Sequence, residues 1–333
     1  MYRIRQFAAA AVVAAVLSPA PFAEAVILSR TSSRNIGAPS GSNANSGWQY
    51  QGHWANGFLG TAIHKNYFIT ADHVGGGVGQ AIWYQGKNYT ATAAYADPGS
   101  DLKIYKISGS FPSWAPLYTG TSETGKRAMV FGRGTQRGSE VRKGTTLKGW
   151  KWGSQDKVRS WGENNVAGTL SDPTFGPLMK FTFNRQGTSG ALYHEGTLSN
   201  GDSGGGVFIY DAGKWKLAGI NYLTDNPFSL SGTDAGFSAS IFDKGGLYTR
   251  SGGGWKYNSD LASDIPGNWY ATRISSRQSW IKSIVGTVST GALSSSTSSL
   301  SVTSVPEPMS AALLALAATA LLRRRDRRQC GRR

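Results

Sequence analysis

Four histidines, His53, His64, His73 and His194, all precede the run Gly201-Asp202-Ser203-Gly204-Gly205 in this 333-residue chain. A serine flanked by glycines can sit on a tight, open turn with its hydroxyl exposed and backbone N–H groups beside it. An acyl-transfer nucleophile and its oxyanion hole need that arrangement. The run also fits G-x-S-x-G, the nucleophile elbow of α/β-hydrolases, in which an acid and then a histidine follow the serine. No histidine follows Ser203, so that fold is excluded and the base must come from earlier in the chain.

The middle of the chain reads as β structure. Short runs rich in Val, Ile, Tyr, Phe and Trp alternate with Gly/Asn/Ser/Asp turns, the signature of a half-buried strand followed by a turn. Candidate strands are 58–63, 67–70, 81–84, 102–107, 128–131, 178–183, 207–210 and 215–222. The 44 glycines suit a turn-dense all-β fold. One segment has helical spacing: Trp280, Ile281, Ile284 and Val285 form an apolar stripe behind the serine-led run Ser275 to Gln278. The globular part is therefore expected to end near Gly286. No internal repeat is apparent.

Among the histidines, His73 follows the strand-like run Tyr67–Thr70, a rigid element suited to holding a general base. His64 lies in a His-Lys-Asn turn, His53 in a Gly/Trp/Asn segment, and His194 has no acid placed to orient it. The acid that orients an imidazole could be Asp97, Asp101, Asp156, Asp172 or Asp202. Asp97 and Asp172 precede prolines in turns. Asp101 opens Leu102-Lys103-Ile104-Tyr105-Lys106-Ile107, which alternates like a half-buried strand and would keep the carboxylate ordered, so Asp101 is favoured.

These blocks resemble the trypsin/chymotrypsin-like serine proteases. Thr70-Ala71-Asp72-His73, Asp101-Leu102-Lys103-Ile104 and Gly201 to Gly205 resemble the histidine, aspartate and serine blocks of that family. Phe131 to Gly134 resembles the glycine turn opening its second barrel, and Trp269 to Ile274 with Trp280-Ile281-Lys282 its closing strand and helix. The resemblance covers about 26–286. It implies two packed six-stranded antiparallel Greek-key β-barrels, about 26–127 and 128–286, with a C-terminal α-helix, and hydrolysis of protein or peptide substrates without a cofactor or metal. Ser203 would be the nucleophile, His73 the base, Asp101 the orienting acid, and the N–H groups of Gly201 and Ser203 the oxyanion hole. Thr197 would stand at the floor of the specificity pocket and Tyr222, Leu223 and Thr224 along its wall, favouring small or medium apolar residues over Lys or Arg. Asp202 would pair with a new amino terminus at Val26.

The departures from the family are specific. Leu59 and Val74 replace a disulfide pair beside the histidine, Ser199 replaces a half-cystine, and Gly206 replaces a proline. Asp72 stands next to His73 where a small neutral residue is usual, positioned either to raise the histidine's pKa or to face solvent. A catalytically silent relative, serving as a binding module of the extracellular polysaccharide layer, is the alternative function.

Both ends read as addresses. Arg3 and Arg5, the apolar run Phe7 to Leu17 and Ala23-Glu24-Ala25 form a secretory signal peptide over residues 1–25. A Ser/Thr-rich linker, 287–304, leads to Val305-Pro306-Glu307-Pro308, an apolar segment at 309–322 and an arginine cluster. Residues 305–328 resemble the PEP-CTERM sorting signal of Gram-negative bacteria. That resemblance implies export across the inner membrane, transient C-terminal anchoring, and release to the cell surface or matrix by an exosortase after signal peptidase has acted. The only cysteine, Cys330, lies in the tail, so the domain would fold without disulfides. The net charge of +16 comes partly from the ends. Residues 26–305 remain basic but contain no dense Lys/Arg run, so a nucleic-acid partner is not expected. No heptad pattern suggests anything but a monomer.

Overall fold

A computed structural model describes residues 25–286. The expected signal peptide 1–25 (apart from Ala25), the expected linker 287–304 and the expected sorting segment 305–328 lie outside the described residues. Two closed six-stranded antiparallel barrels make up the fold. Around the first, the strands run Gln51–Trp54, Phe58–His64, Tyr67–Ala71, Leu102–Ile107, Lys87–Ala96 and Ala81–Tyr84, and the pair His53–Trp83 closes the circle. The second runs Ser160–Asp172, Gly176–Phe183, Gly267–Arg273, Lys214–Thr224, Gly206–Asp211 and Arg127–Gly132.

Burial alternates along Ala81–Tyr84, where Ile82 and Tyr84 are buried while Ala81 and Trp83 are exposed. Side chains of a strand point alternately to its two faces, so this pattern pins the register there. Leu102–Ile107 departs from the expected alternation: Leu102, Ile104, Tyr105 and Ile107 are all buried in one apolar cluster and only Lys106 is exposed. The first barrel is filled by Trp54, Phe68 and Tyr105, whose ring centroids lie 4.6–5.1 Å apart. In the second, Phe181 and Trp269 stack at 3.9 Å.

Where the barrels meet, Phe131 and Phe208 of the second pack edge to face at 5.8 Å. Trp48 lies 6.3 Å from Phe131, and Tyr50 lies 6.1 Å from Phe208. These rings belong to one apolar cluster continuous with the first barrel's core. Ile274, Ile281 and Val285 join that cluster, which seats the closing helix Gln278–Val285. Arg277, just ahead of the helix, binds the buried Asp97 through two nitrogens. Asp97 also accepts from Ser100 Oγ at 2.6 Å and from the Gly99 N–H. Burial opposes its charge, but these hydrogen bonds outweigh it and hold the carboxyl below the usual aspartate range. Asp97 is thus the anchor of the C-terminal helix.

Two features differ from the expected layout. The segment around Val26 does not belong to the first barrel: Ile27–Leu28 pairs antiparallel with Gly196–Thr197, against the second. Gly162 and Gly196 make room, since a Cβ on either would stand 2.9–3.1 Å from Val26 Cγ1. The second barrel also carries two small sheets that the sequence pattern did not suggest. One joins Thr135–Lys143, Thr146–Gln155 and Ala239–Ile241; the other joins Phe228–Ser229, Tyr248–Ser251 and Gly254–Tyr257.

Candidate active site

His73 sits in a single 3-10 turn, Asp72–Val74, at the end of the strand Tyr67–Ala71. Asp101 lies at the mouth of the neighbouring strand Leu102–Ile107, and the ladder between them ends at the pair Ala71–Leu102. The backbone therefore delivers the carboxylate to the imidazole. His73 Nδ1 is 2.6 Å from Asp101 Oδ2, and the His73 backbone N–H donates to Oδ1 at 3.0 Å. Two contacts from one carboxylate fix both the ring and the turn that carries it. Asp101 is nearly buried, whereas the His73 ring is 42% exposed and its other nitrogen makes no hydrogen bond among the described residues.

The serine turn is held by crowding and hydrogen bonds together. Gly201 and Gly204 adopt φ of +98° and +78°, a region that favours glycine. A Cβ on Gly204 would stand 2.3 Å from Thr70 Oγ1 and 2.6 Å from Leu59 O, so the turn presses against the strands that lead to His73. The N–H groups of Asp202, Gly204 and Gly205 donate to Ser199, Asn221 and Asp202 carbonyls. Those of Gly201 and Ser203 donate to nothing among the described residues, and Ser203 Oγ has no partner either. Two unpaired donors flanking an unpaired hydroxyl are the geometry of an oxyanion hole beside a nucleophile. Among the described residues no hydrogen bond joins Ser203 Oγ to His73; Tyr222 links them, since it meets the His73 ring and lines one cleft with Ser203.

Asp202 is fully buried beneath the turn. Its Oδ2 accepts from Ser199 N at 2.7 Å and Ser199 Oγ at 2.9 Å, and its Oδ1 accepts from Gly134 N at 2.7 Å. Val26 N is 3.4 Å from Oδ1. Burial pushes its carboxyl up to about 6, against the pull of those N–H groups. Ser199, a half-cystine position in the family, therefore has a second use: it braces Asp202 and accepts the Thr135 N–H at 2.8 Å.

Gly206, where proline is usual, gives its N–H to Gln51 Oε1 at 3.1 Å across the barrel interface. A Cβ there would meet Gln51, Phe208 and Thr61 at 2.8–2.9 Å. The residue is glycine because the position is full. Leu59 and Val74 are buried in the first barrel's apolar cluster. Asp72 pairs with Lys103 Nζ at 2.8 Å and is 43% exposed.

A cleft of about 230 Å³ opens beside Ser203. Tyr222, Leu223 and Thr224 line it, as expected, and Tyr222 also meets the His73 ring edge-on at 5.7 Å. Burial, then the nearby Asp101 and Asp172 charges, raise the Tyr222 phenol above its ordinary range. Thr197 does not line the cleft; it is buried and pairs with Ile27, so it stands behind the wall that Leu198, Ser199 and Asn200 form. Trp152 completes the lining from the strand Thr146–Gln155, and Gln155 of that strand lies against Gly201. Neither residue carries a local sign of this role, because a long hairpin brings them back. The other histidines are held elsewhere. His53 stacks on Trp83 at 4.8 Å, His64 packs against Tyr67 and Trp114, and His194 packs against Trp161 and Tyr193.

A two-barrel β fold with His73, Asp101 and Ser203 at the junction of its barrels defines a class. Residues 55–220 match the trypsin-like peptidase domain family. Among solved structures, the atomic-resolution structure of HBP is similar at 15% identity and a TM-score of 0.43. Human heparin binding protein is similar at 14% identity and a TM-score of 0.41. Each comparison covers 74% of this chain and 96% of the other. No curated protein matches the sequence.

Proposed function

We propose that the chain is an exported serine endopeptidase. The observation that carries this reading is the 2.6 Å His73–Asp101 contact, joined through Tyr222 to the cleft that holds Ser203 and its unpaired hydroxyl. Ser203 Oγ attacks the peptide carbonyl while His73 takes its proton, and Asp101 steadies the imidazolium. The developing oxyanion falls on the N–H groups of Gly201 and Ser203, worth about 10²–10³ in rate per donor. His73 then returns the proton to the departing amine, and water repeats the sequence on the acyl-enzyme. The cleft walled by Tyr222, Leu223 and Thr224 contains no charged residue, which supports a small or medium apolar residue on the acyl side. A serine-directed phosphonate should label the wild type and leave Ser203→Ala unlabelled; a folded wild type that takes no label would mean a silent binding module instead.

Signal peptidase and exosortase would process the two ends, and anchoring through 309–322 would precede release at the cell surface. Cleavage after Ala25 would turn Val26 N into an ammonium beside the buried Asp202. Their separation of 3.4 Å and the complete burial of both residues support that pairing. On this reading the mature protein starting at Val26 is the active form. A variant keeping two extra residues ahead of Val26 should lose most activity, and full activity in it would dismiss the pairing.

A further inference from the structure

A second cleft, of about 400 Å³, has none of the residues that line the cleft beside Ser203. Its position follows from four contacts. Gly57 and Arg133 line it together with His53 and Trp54. Gly57 ends the turn just ahead of the strand Phe58–His64 and is two residues from Leu59, whose carbonyl crowds Gly204. Arg133 adjoins Gly134, whose Cα would stand 3.1 Å from a Cβ on Gly201. The cleft therefore adjoins the oxyanion turn and shares no lining residue with the cleft of Tyr222–Thr224. A peptide whose acyl-side residue fills the Tyr222–Thr224 cleft leaves this second cleft to its other half.

The chemistry of this cleft is one-sided. Arg133 donates Nη1 to Gly57 O at 3.0 Å, its Nε is buried without a partner, and no carboxylate forms an ion pair with it among the described residues. The stem of Lys157 lies over Gly57, bringing a second cation to the rim. Arg159, stacked on Trp48, adds a third positive charge behind the wall. No acidic side chain lines the cleft. The nearest carboxylate acting on Arg133, Asp156, is held by Arg34 at 2.9 Å. Burial and the two arginines push the His53 imidazole down to about 4, so it adds no charge at neutral pH but offers a hydrogen bond.

We infer that this cleft recognises the leaving-group side of the substrate through an acidic side chain or carboxylate, with Arg133 as the specificity-determining residue. The inference rests on the peptidase reading, but binding can be measured without turnover. In the Ser203→Ala protein, calorimetry with the tetrapeptide amides Ala-Asp-Asp-Ala and Ala-Asn-Asn-Ala should show about tenfold tighter binding of the acidic one. Arg133→Gln should erase that preference with unchanged near-ultraviolet circular dichroism, and Lys157→Ala should shrink it. Raised salt should weaken it. Equal affinities, or a preference untouched by both substitutions, would overturn the assignment. In the wild type, peptides acidic just after the scissile bond should be cleaved with about tenfold higher kcat/KM than their amide counterparts. Acidic binding by Ser203→Ala with no cleavage or labelling of the wild type would keep the cleft and remove the peptidase reading. Cleavage indifferent to that charge would do the reverse.

Discussion

Gly206 shows how one residue couples the two barrels to the site. Its N–H reaches Gln51 at 3.1 Å, and Gln51 Nε2 in turn donates to Thr61 Oγ1 at 3.0 Å, so a polar chain crosses the apolar interface directly behind the serine turn. Proline at this position would delete the donor and drive ring atoms into Gln51 and Phe208. Gly206→Pro is expected to cost about 3 kcal/mol, read from the urea midpoint at constant slope. Ser199 makes the same point: the hydroxyl that stands for a half-cystine holds Asp202 through two contacts. Asp101 was legible from the strand it opens, and Asp97 was distinguishable only by that context. What the sequence could not assign was Asp72, because the direction of a side chain in a single turn depends on which cation lies across the ladder.

At the scale of elements, the short strand pair Ile27–Leu28 and Gly196–Thr197 governs the floor of the site. Glu195, next in line, is fully buried, and its carboxylate receives only neutral donors: the N–H groups of Asn184 and Leu192 and the amides of Asn184 and Asn164. Its carbonyl holds the Ser29 N–H at 2.9 Å, tying it to the N-terminal segment. Burial outweighs those donors and pushes its carboxyl up to about 7 from 4.5. The folded protein therefore holds this proton more tightly than the unfolded chain. Stability from this group is complete below about pH 4.5 and is lost as pH rises through about 7, by up to about 3 kcal/mol. Urea titrations across that window should show the decline, and Glu195→Gln should flatten it. A wild type equally stable at both ends of the window would contradict it. Strand positions were readable because each is a short run rich in β-branched and aromatic residues bounded by turn residues; burial alternates in Ala81–Tyr84 but is continuous through most of Phe58–His64, Tyr67–Ala71 and Arg127–Gly132. The hairpin Thr135–Gln155 was not, since its long, twisted strands carry polar and apolar residues on both faces and leave no clean alternation.

Across the whole molecule, Phe131, Phe208, Trp48 and Tyr50 make the barrel interface part of one apolar core, and the closing helix packs on the same cluster. The two barrels are thus expected to unfold together. Tryptophan fluorescence and far-ultraviolet circular dichroism should give coincident urea transitions, and Phe208→Ala should lower stability by about 3–5 kcal/mol in both at once. Separate transitions would mean that the barrels are independent. That interface also sets the site, since His73 and Asp101 come from one barrel and Ser203 from the other. The sequence by itself determined the chemistry: a glycine-held serine, an earlier histidine and aspartate on strand ends, and an all-β chain. Each of those is written in local spacing. Tertiary structure alone decided that Thr197 stands behind the cleft wall, that Trp152 lines it, that Gln51 reaches Gly206, and that Arg133 lines a second cleft adjoining the oxyanion turn. These depend on contacts such as Gln51–Gly206 and Ile27–Thr197, 155 and 170 positions apart, which no local pattern of polarity or propensity encodes.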